Sequence, residues 1–157
     1  DMAQVIYNMY QKTINRHNGS IRYNLKYFEN LTRLANKTPQ LQCLVATRHK
    51  IIIAFLITCH ENSTVYYLHG GLDFQKQQYR PSDLLFFSAI SRAQEQDAAH
   101  FNMMSSPINQ PTLVKYKEKW GGITDELRTY DWPIHTLGAK TFSFLARGYE
   151  YVRQLIS

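Results

Sequence analysis

At 157 residues the chain is long enough for one domain with a sizeable core and marginal for two. Hydrophobic residues at 44% against 19% charged exclude a disordered chain, and the longest apolar run, Ile51 to Ile57, is too short to cross a bilayer. The formal net charge of +6 is either ordinary solubility charge or an attraction for anions such as phosphorylated cofactors and nucleic acid; the scattered Lys and Arg argue against a dedicated DNA-binding arm.

In chain order, Val5, Ile6, Met9, Tyr10 and Ile14 recur at helical spacing and predict a first amphipathic helix, stopped at Asn18-Gly19. Leu25, Phe28, Leu31 and Ala35, widened by Tyr27 and Leu34, predict a second that Thr38-Pro39 stops. Three strands follow, at Leu41 to Thr47, Lys50 to Cys59 and Thr64 to His69. The middle one is apolar on both faces, which suits a buried central strand. Short turns, one at Glu61-Asn62-Ser63, make the three an antiparallel meander. Gly70-Gly71 closes the third strand, and a loop runs through Gln75 to Arg80. Pro81-Ser82 opens a helix with Ser82 as N-cap and Leu85, Phe86, Ala89, Ile90 and Ala93 as buried face. A strand at His100 to Met104, a polar break at Ser105-Ser106-Pro107, and a helix from Pro111 ended by Gly121-Gly122 come next. Thr124 to Asp131 alternates like a strand, and a last helix, Lys140 to Ile156, carries Phe144, Leu145, Tyr149, Val152 and Ile156. The order ααβββαβαβα predicts one α/β (α+β) domain over residues 1–157, a mostly antiparallel mixed sheet with helices on both faces.

Four features could carry chemistry. In the helix from Pro111, Lys117 shares a face with Leu113, Val114 and Trp120, while Lys115, Glu118 and Lys119 point outward. An inward ammonium costs free energy unless it is paired, so it is either kept for function or snorkels out at the stripe's edge. Tyr116 borders the same face and can donate a proton to a leaving group, or simply pack. Tyr79-Arg80-Pro81-Ser82 stands at a helix entry, where free amides and the helix dipole bind phosphate, and Arg80 adds charge-assisted contacts; the plain alternative is a capped helix start. Gly70 and Gly71 would let the backbone approach a ligand closely. Asn102 and Ser105, in the run from Phe101 to Ser106, are placed to meet substrate in a cleft, or mark an ordinary strand end. His69, which alternation sets on one face with Val65 and Tyr67, reads as a partly buried, satisfied histidine and otherwise as a base or substrate contact. Cys43 and Cys59 lack CxxC spacing and fit free buried thiols in a reducing compartment; no metal site is expected. No signal-peptide pattern opens the sequence, so the expected location is cytoplasmic.

These motifs carry a resemblance. The segments Tyr66 to Gly71, Tyr79 to Leu85 and Ala89 to Ala93 resemble the C-terminal GNAT domain of Fem-type peptidoglycan-bridge aminoacyltransferases, and equally the exopolysaccharide-associated GNAT acetyltransferases. The family's later signature, Phe-Lys followed by Phe-Gly or Trp-Gly, is matched here by Tyr116-Lys117-Glu118-Lys119-Trp120-Gly121-Gly122, and Tyr7 to Arg16 resembles the opening helix. The resemblance covers residues 5 to 131. It implies a GNAT fold and acyl transfer to an amine, with acetyl-CoA or another acyl-CoA as donor. In Fem-type enzymes the donor is instead aminoacyl-tRNA and the acceptor a cell-wall precursor. It implies a small-molecule, cell-wall or polysaccharide amine as acceptor, tRNA as a further partner, and no metal. It also implies that Lys117 stabilises the charge developing on the attacked carbonyl. Two motifs depart from the pattern. Phe-Asp-Leu-Gly is replaced by Phe101-Asn102-Met103-Met104, which removes a carboxylate. The Gln/Arg-x-x-Gly-x-Gly/Ala pyrophosphate loop is missing between His69 and Ser82, which leaves room for a non-catalytic GNAT-like module that recognises a nucleotide sugar or a protein. Fem-type enzymes carry two such domains, so the chain is expected to be one half of a longer protein.

Overall fold

Strand β2 (Ile51–Glu61) organises the molecule because both of its faces are apolar. Phe55 and Ile57 point to one side and Ala54 and Leu56 to the other, all of them buried. A computed structural model of the chain describes every residue but Asn18, Asp131 and Ser157. Within the last helix it describes the backbone alone of Arg147, Glu150, Tyr151 and residues 153–156. The chain divides into two compact units, Asp1–Trp120 and Gly121–Ser157.

In the first unit, β1 (Leu41–Arg48), β2 and β3 (Thr64–Leu72) form the predicted antiparallel meander, and β4 (His100–Asn102) adds to β3 in parallel. The β1–β2 turn is His49-Lys50, both at positive φ, which matches the twist that a two-residue hairpin turn needs. Helix α1 (Met2–Arg16) is capped by Asp1, and α2 (Leu25–Ala35) by Asn24, whose side chain accepts from Tyr27 N–H. The predicted stop of α1 at Asn18 lies outside the described residues; Gly19 N–H closes the turn on Ile14 O. Both helices cover one face of the sheet, where Ile6, Tyr10 and Phe28 pack on Phe55 and Ile57. Helix α3 (Pro81–Glu95) covers the other, setting Leu85, Phe86 and Ala89 on Ala54 and Leu56. Each fully buried Phe or Ile contributes about 1.5–3 kcal/mol of transfer free energy. Cys43 and Cys59 are both free and half-buried, and burial pushes the Cys43 thiol up to about 11, which leaves it unreactive at neutral pH.

Three local expectations are corrected. Gly70 and Gly71 do not close β3 but lie inside it, since pairing with β2 continues to Leu72. The segment after β3 is a 3-10 helix, Phe74–Tyr79, and α3 is capped by Arg80 in the left-handed region, not by Ser82. Pro81 fixes the first helical position, so the chain must turn one residue before Ser82 can cap.

Helix α4 (Pro111–Glu118) ends the first unit's elements. In the second unit, α5 spans Thr136–Ile156, four residues longer at its start than the periodicity predicts. The described part of the predicted strand at Thr124 to Asp131 is not a strand, because alternation alone makes none without a partner edge to accept its hydrogen bonds. Phe144, Leu145, Tyr149 and Val152, the apolar residues that the predicted helix carries, are exposed; the side chain of Ile156 lies outside the described residues. Among the described residues no helix is long and apolar enough to cross a membrane.

Candidate active site

β3 and β4 pair only from Thr64 to Tyr66 and from His100 to Asn102. Beyond Tyr66 the two chains diverge, and among the described residues no strand pairs with that edge of β3. A cleft of ≈ 1360 Å³ occupies the gap. One wall is β3 from Tyr67 to Leu72, and the facing wall is Met103, Met104 and Ser105 with Tyr116 and Lys117 of α4. Arg80, Ser82 and Asp83 at the start of α3 and Thr13 and Arg16 of α1 also line the cleft.

The bulge in β3 decides what enters the cleft. Ile57 pairs with His69 and Thr58 with Tyr67, so Leu68 is the extra residue. One inserted residue reverses side-chain parity. Tyr67 therefore packs on Phe86 beneath α3, their ring centroids 5.1 Å apart, while His69 turns to the α1–α2 face. The expectation that His69 shares a face with Tyr67 is corrected by this bulge. His69 sits among Tyr10, Tyr23, Tyr27 and Phe28, and the Tyr27 hydroxyl lies 2.8 Å from its Nε2. Burial lowers the pKa of the imidazole.

Both glycines are explained by crowding within the protein. A Cβ on Gly70 would lie 2.6 Å from the Tyr67 hydroxyl oxygen. One on Gly71 would lie 2.8 Å from the Phe55 ring and 3.1 Å from Thr13 Oγ1, where α1 crosses the strand. Their backbone still lines the cleft.

Lys117 is half-buried on the facing wall. Its Nζ donates to the carbonyl oxygens of Met104 at 2.9 Å and Ser105 at 3.3 Å, and burial lowers its pKa. Met104 holds a left-handed φ of 59°, and its N–H donates to Asn102 Oδ1 at 2.8 Å. Asn102 is thus outside the cleft lining and instead orients the carbonyl that receives Lys117. Arg80 is a second left-handed residue on the cleft, with φ of 50°. Non-glycine residues in that region store strain that tends to cluster at working sites.

The Tyr116 hydroxyl donates to Asp83 Oδ1 at 3.0 Å, and Lys119 Nζ donates to the same oxygen at 2.7 Å. Burial and the Asp83 carboxylate push the Tyr116 phenol up. Burial alone would raise Asp83, but hydrogen bonds from Lys119 and Tyr116, with the charges of Lys119 and Arg80, hold its carboxyl below the usual range. Of the residues singled out from sequence, Tyr79 lies away from the cleft lining, exposed beneath the Arg48 guanidinium at 3.6 Å. Gly70, Gly71, Arg80, Ser82, His69, Ser105, Tyr116 and Lys117 all line the cleft. Lys119, expected to point outward, instead reaches Asp83 and lines the cleft, and Asp83 was missed, since nothing local in sequence joins positions so far apart. Tyr27, placed in a helix stripe, gave no sign that its hydroxyl reaches β3. Among the described residues no group of three or more His, Cys, Asp or Glu could hold a metal ion.

A family model described as acetyltransferase (GNAT) domain matches residues 1–117. No curated protein matches the chain. Among solved structures it is similar to a transcriptional regulator from Bacillus halodurans, at 14% identity and a TM-score of 0.63, covering 83% of this chain and 93% of that one. It is similar to an aminoglycoside acetyltransferase from an uncultured soil metagenomic sample, at 14% identity and TM-score 0.59, covering 85% and 91%. A ribosomal-protein-alanine N-acetyltransferase from Brucella melitensis biovar Abortus is similar at 11% identity and TM-score 0.61, covering 85% and 92%. These three share the fold. The matched span runs from the first helix through the sheet and α3 to Lys117, and the chain belongs to the GNAT acetyltransferase domain family.

Proposed function

We propose that the cleft binds an acyl-CoA, acetyl-CoA foremost, and that the chain transfers the acyl group to an amine. The observation that carries this reading is the half-buried Lys117 ammonium, held on the cleft lining by the Met104 and Ser105 carbonyls. The unpaired edge of β3 offers strand-type hydrogen bonds to an extended amide chain such as the pantetheine arm. Arg80 and the start of α3 supply charge and free amides for phosphate. Attack on the thioester carbonyl places negative charge on its oxygen, and Lys117 steadies that charge. The C–S bond then breaks, and Tyr116 passes its hydroxyl proton to the leaving thiolate once its bond to Asp83 opens. Ser82 contributes to phosphate binding; Ser105 and His69 meet the acceptor, a small-molecule, cell-wall or polysaccharide amine.

A second reading, Fem-like transfer from aminoacyl-tRNA, gains from one feature that counts against CoA and that suits a non-catalytic GNAT-like module more. A 3-10 helix, not a glycine-rich loop, joins β3 to the start of α3. Titration calorimetry separates the two. Saturable heat with acetyl-CoA supports the first. Silence up to millimolar ligand, with tRNA binding that falls steeply with salt, overturns it in favour of the second.

A further inference from the structure

His69 occupies a position that a merely satisfied core histidine does not need. The bulge at Leu68 turns its ring to the α1–α2 face, yet the residue still lines the cleft. Its Nε2 is held at 2.8 Å by the Tyr27 hydroxyl. Tyr27 is itself fixed from both ends: the Asn24 side chain accepts its N–H at 3.1 Å, and its ring stacks on Tyr23 with centroids 4.2 Å apart. Among the described residues Nδ1 of His69 has no protein partner, and it is not among the buried unpartnered atoms, so it keeps some exposure in a residue that lines the cleft.

An amine acceptor in water at neutral pH carries a proton that blocks its lone pair. Acyl transfer therefore needs a group to remove that proton, and the Asp that the strand motif would supply is Asn102 here, already committed to Met104 N–H. Both carboxylates on the cleft are engaged: Asp83 holds Lys119 and Tyr116, and Asp73 accepts from Gln75 N–H at 3.2 Å.

We propose that His69 is the general base that takes the acceptor's proton on Nδ1, and that Tyr27 is the positioning residue that receives Nε2–H and fixes this tautomer. The proposal rests on the acyltransferase reading above. In the step, the ammonium N–H bond breaks and its proton moves to Nδ1. The freed pair forms the C–N bond at the thioester carbonyl, the C–S bond breaks and the thiolate takes the Tyr116 hydroxyl proton, the second N–H proton of the new C–N centre restores the Tyr116 phenol, and the imidazolium returns its proton to solvent. The titratable groups facing the ring are Tyr10 from α1, Tyr23 from the segment before α2, and Tyr27 from α2. Burial lowers the imidazole pKa and raises that of Tyr27, so at neutral pH the ring is free to accept while the phenol keeps its proton.

The test has two readouts on the full chain. Nitrogen-15 NMR of the wild type, with His69 assigned through His69→Gln, reads the tautomer. Proton on Nε2 and an apparent pKa below the ordinary value of about 6.5 are expected, and Tyr27→Phe shifts both. A proton resident on Nδ1 at neutral pH overturns the proposal, whether or not the variant folds. The second readout is thiol release from acetyl-CoA with ethanolamine, which is protonated, and with hydroxylamine, which is not. His69→Gln is expected to lose about a hundredfold with ethanolamine, together with the acidic limb of the pH profile, and less than about tenfold with hydroxylamine. Equal losses with both amines reduce His69 to a structural residue. A wild type that binds no acetyl-CoA sinks the acyltransferase reading itself, a result distinct from equal losses.

Discussion

Replacing Lys117 by Ala removes a half-buried ammonium from the cleft wall, where it donates to the Met104 and Ser105 carbonyls. Taking away a preorganised donor to a developing oxyanion costs about 2.7–4 kcal/mol, or about 10²–10³ in turnover, when the site is dry. Lys117 is only half-buried, so solvent screens part of its charge and the expected loss lies near the lower end, at least about tenfold. The stability cost is smaller. Two bonds to partly exposed carbonyls are worth about 1 kcal/mol together, against a total of about 5–15 kcal/mol, so the fold survives. Thiol release from acetyl-CoA gives kcat, and calorimetry gives the donor Kd. A fall in kcat with Kd unchanged is expected, with Lys117→Arg intermediate because its planar fork cannot reproduce a point donor. Unchanged turnover in a folded Lys117→Ala variant removes this residue from the mechanism.

Two further predictions follow from packing and charge. Gly71→Ala should destabilise by about 1–3 kcal/mol, read as a lowered Tm, because its Cβ meets a Phe55 ring that is 1% exposed and has no room to yield; an unchanged Tm would show that α1 can move off the strand. Asp83 has a depressed carboxyl pKa, so its ion pair stabilises the folded state above the unfolded value of about 3.9 and ceases to as pH falls through the lower folded value. Its partners are partly exposed, so Asp83→Asn should cost no more than about 1 kcal/mol in urea unfolding at pH 7, with the difference vanishing near pH 2. An equal difference at both pH values would mean that the charge does no work there.

Most of the first unit is legible in the sequence. The helical stripes of α1 and α2, the two-faced apolar run of β2 and the turn at Asn62 are local signals, set by side-chain periodicity and backbone preference within a few residues. Lys117 was singled out for the same reason: its companions Leu113 and Val114 lie on its own helix. The strand at Thr124 failed because a strand's partner lies elsewhere in the chain, and alternation says nothing of whether one is there.

What sequence alone determined, then, is the ααβββα core, the helix at Pro111 and membership of the GNAT family, though not its Fem-type branch. The tertiary structure decided which way the site faces. A single extra residue at Leu68, set only by registering β3 on β2, carries His69 to the α1–α2 side and brings it to Tyr27 across 42 positions of chain. Likewise Asp83 meets Tyr116 and Lys119 only because α3 and α4 fold together. Periodicity reports which side of its own element a residue occupies; what waits on that side is a property of pairing between distant segments, and no local pattern encodes it.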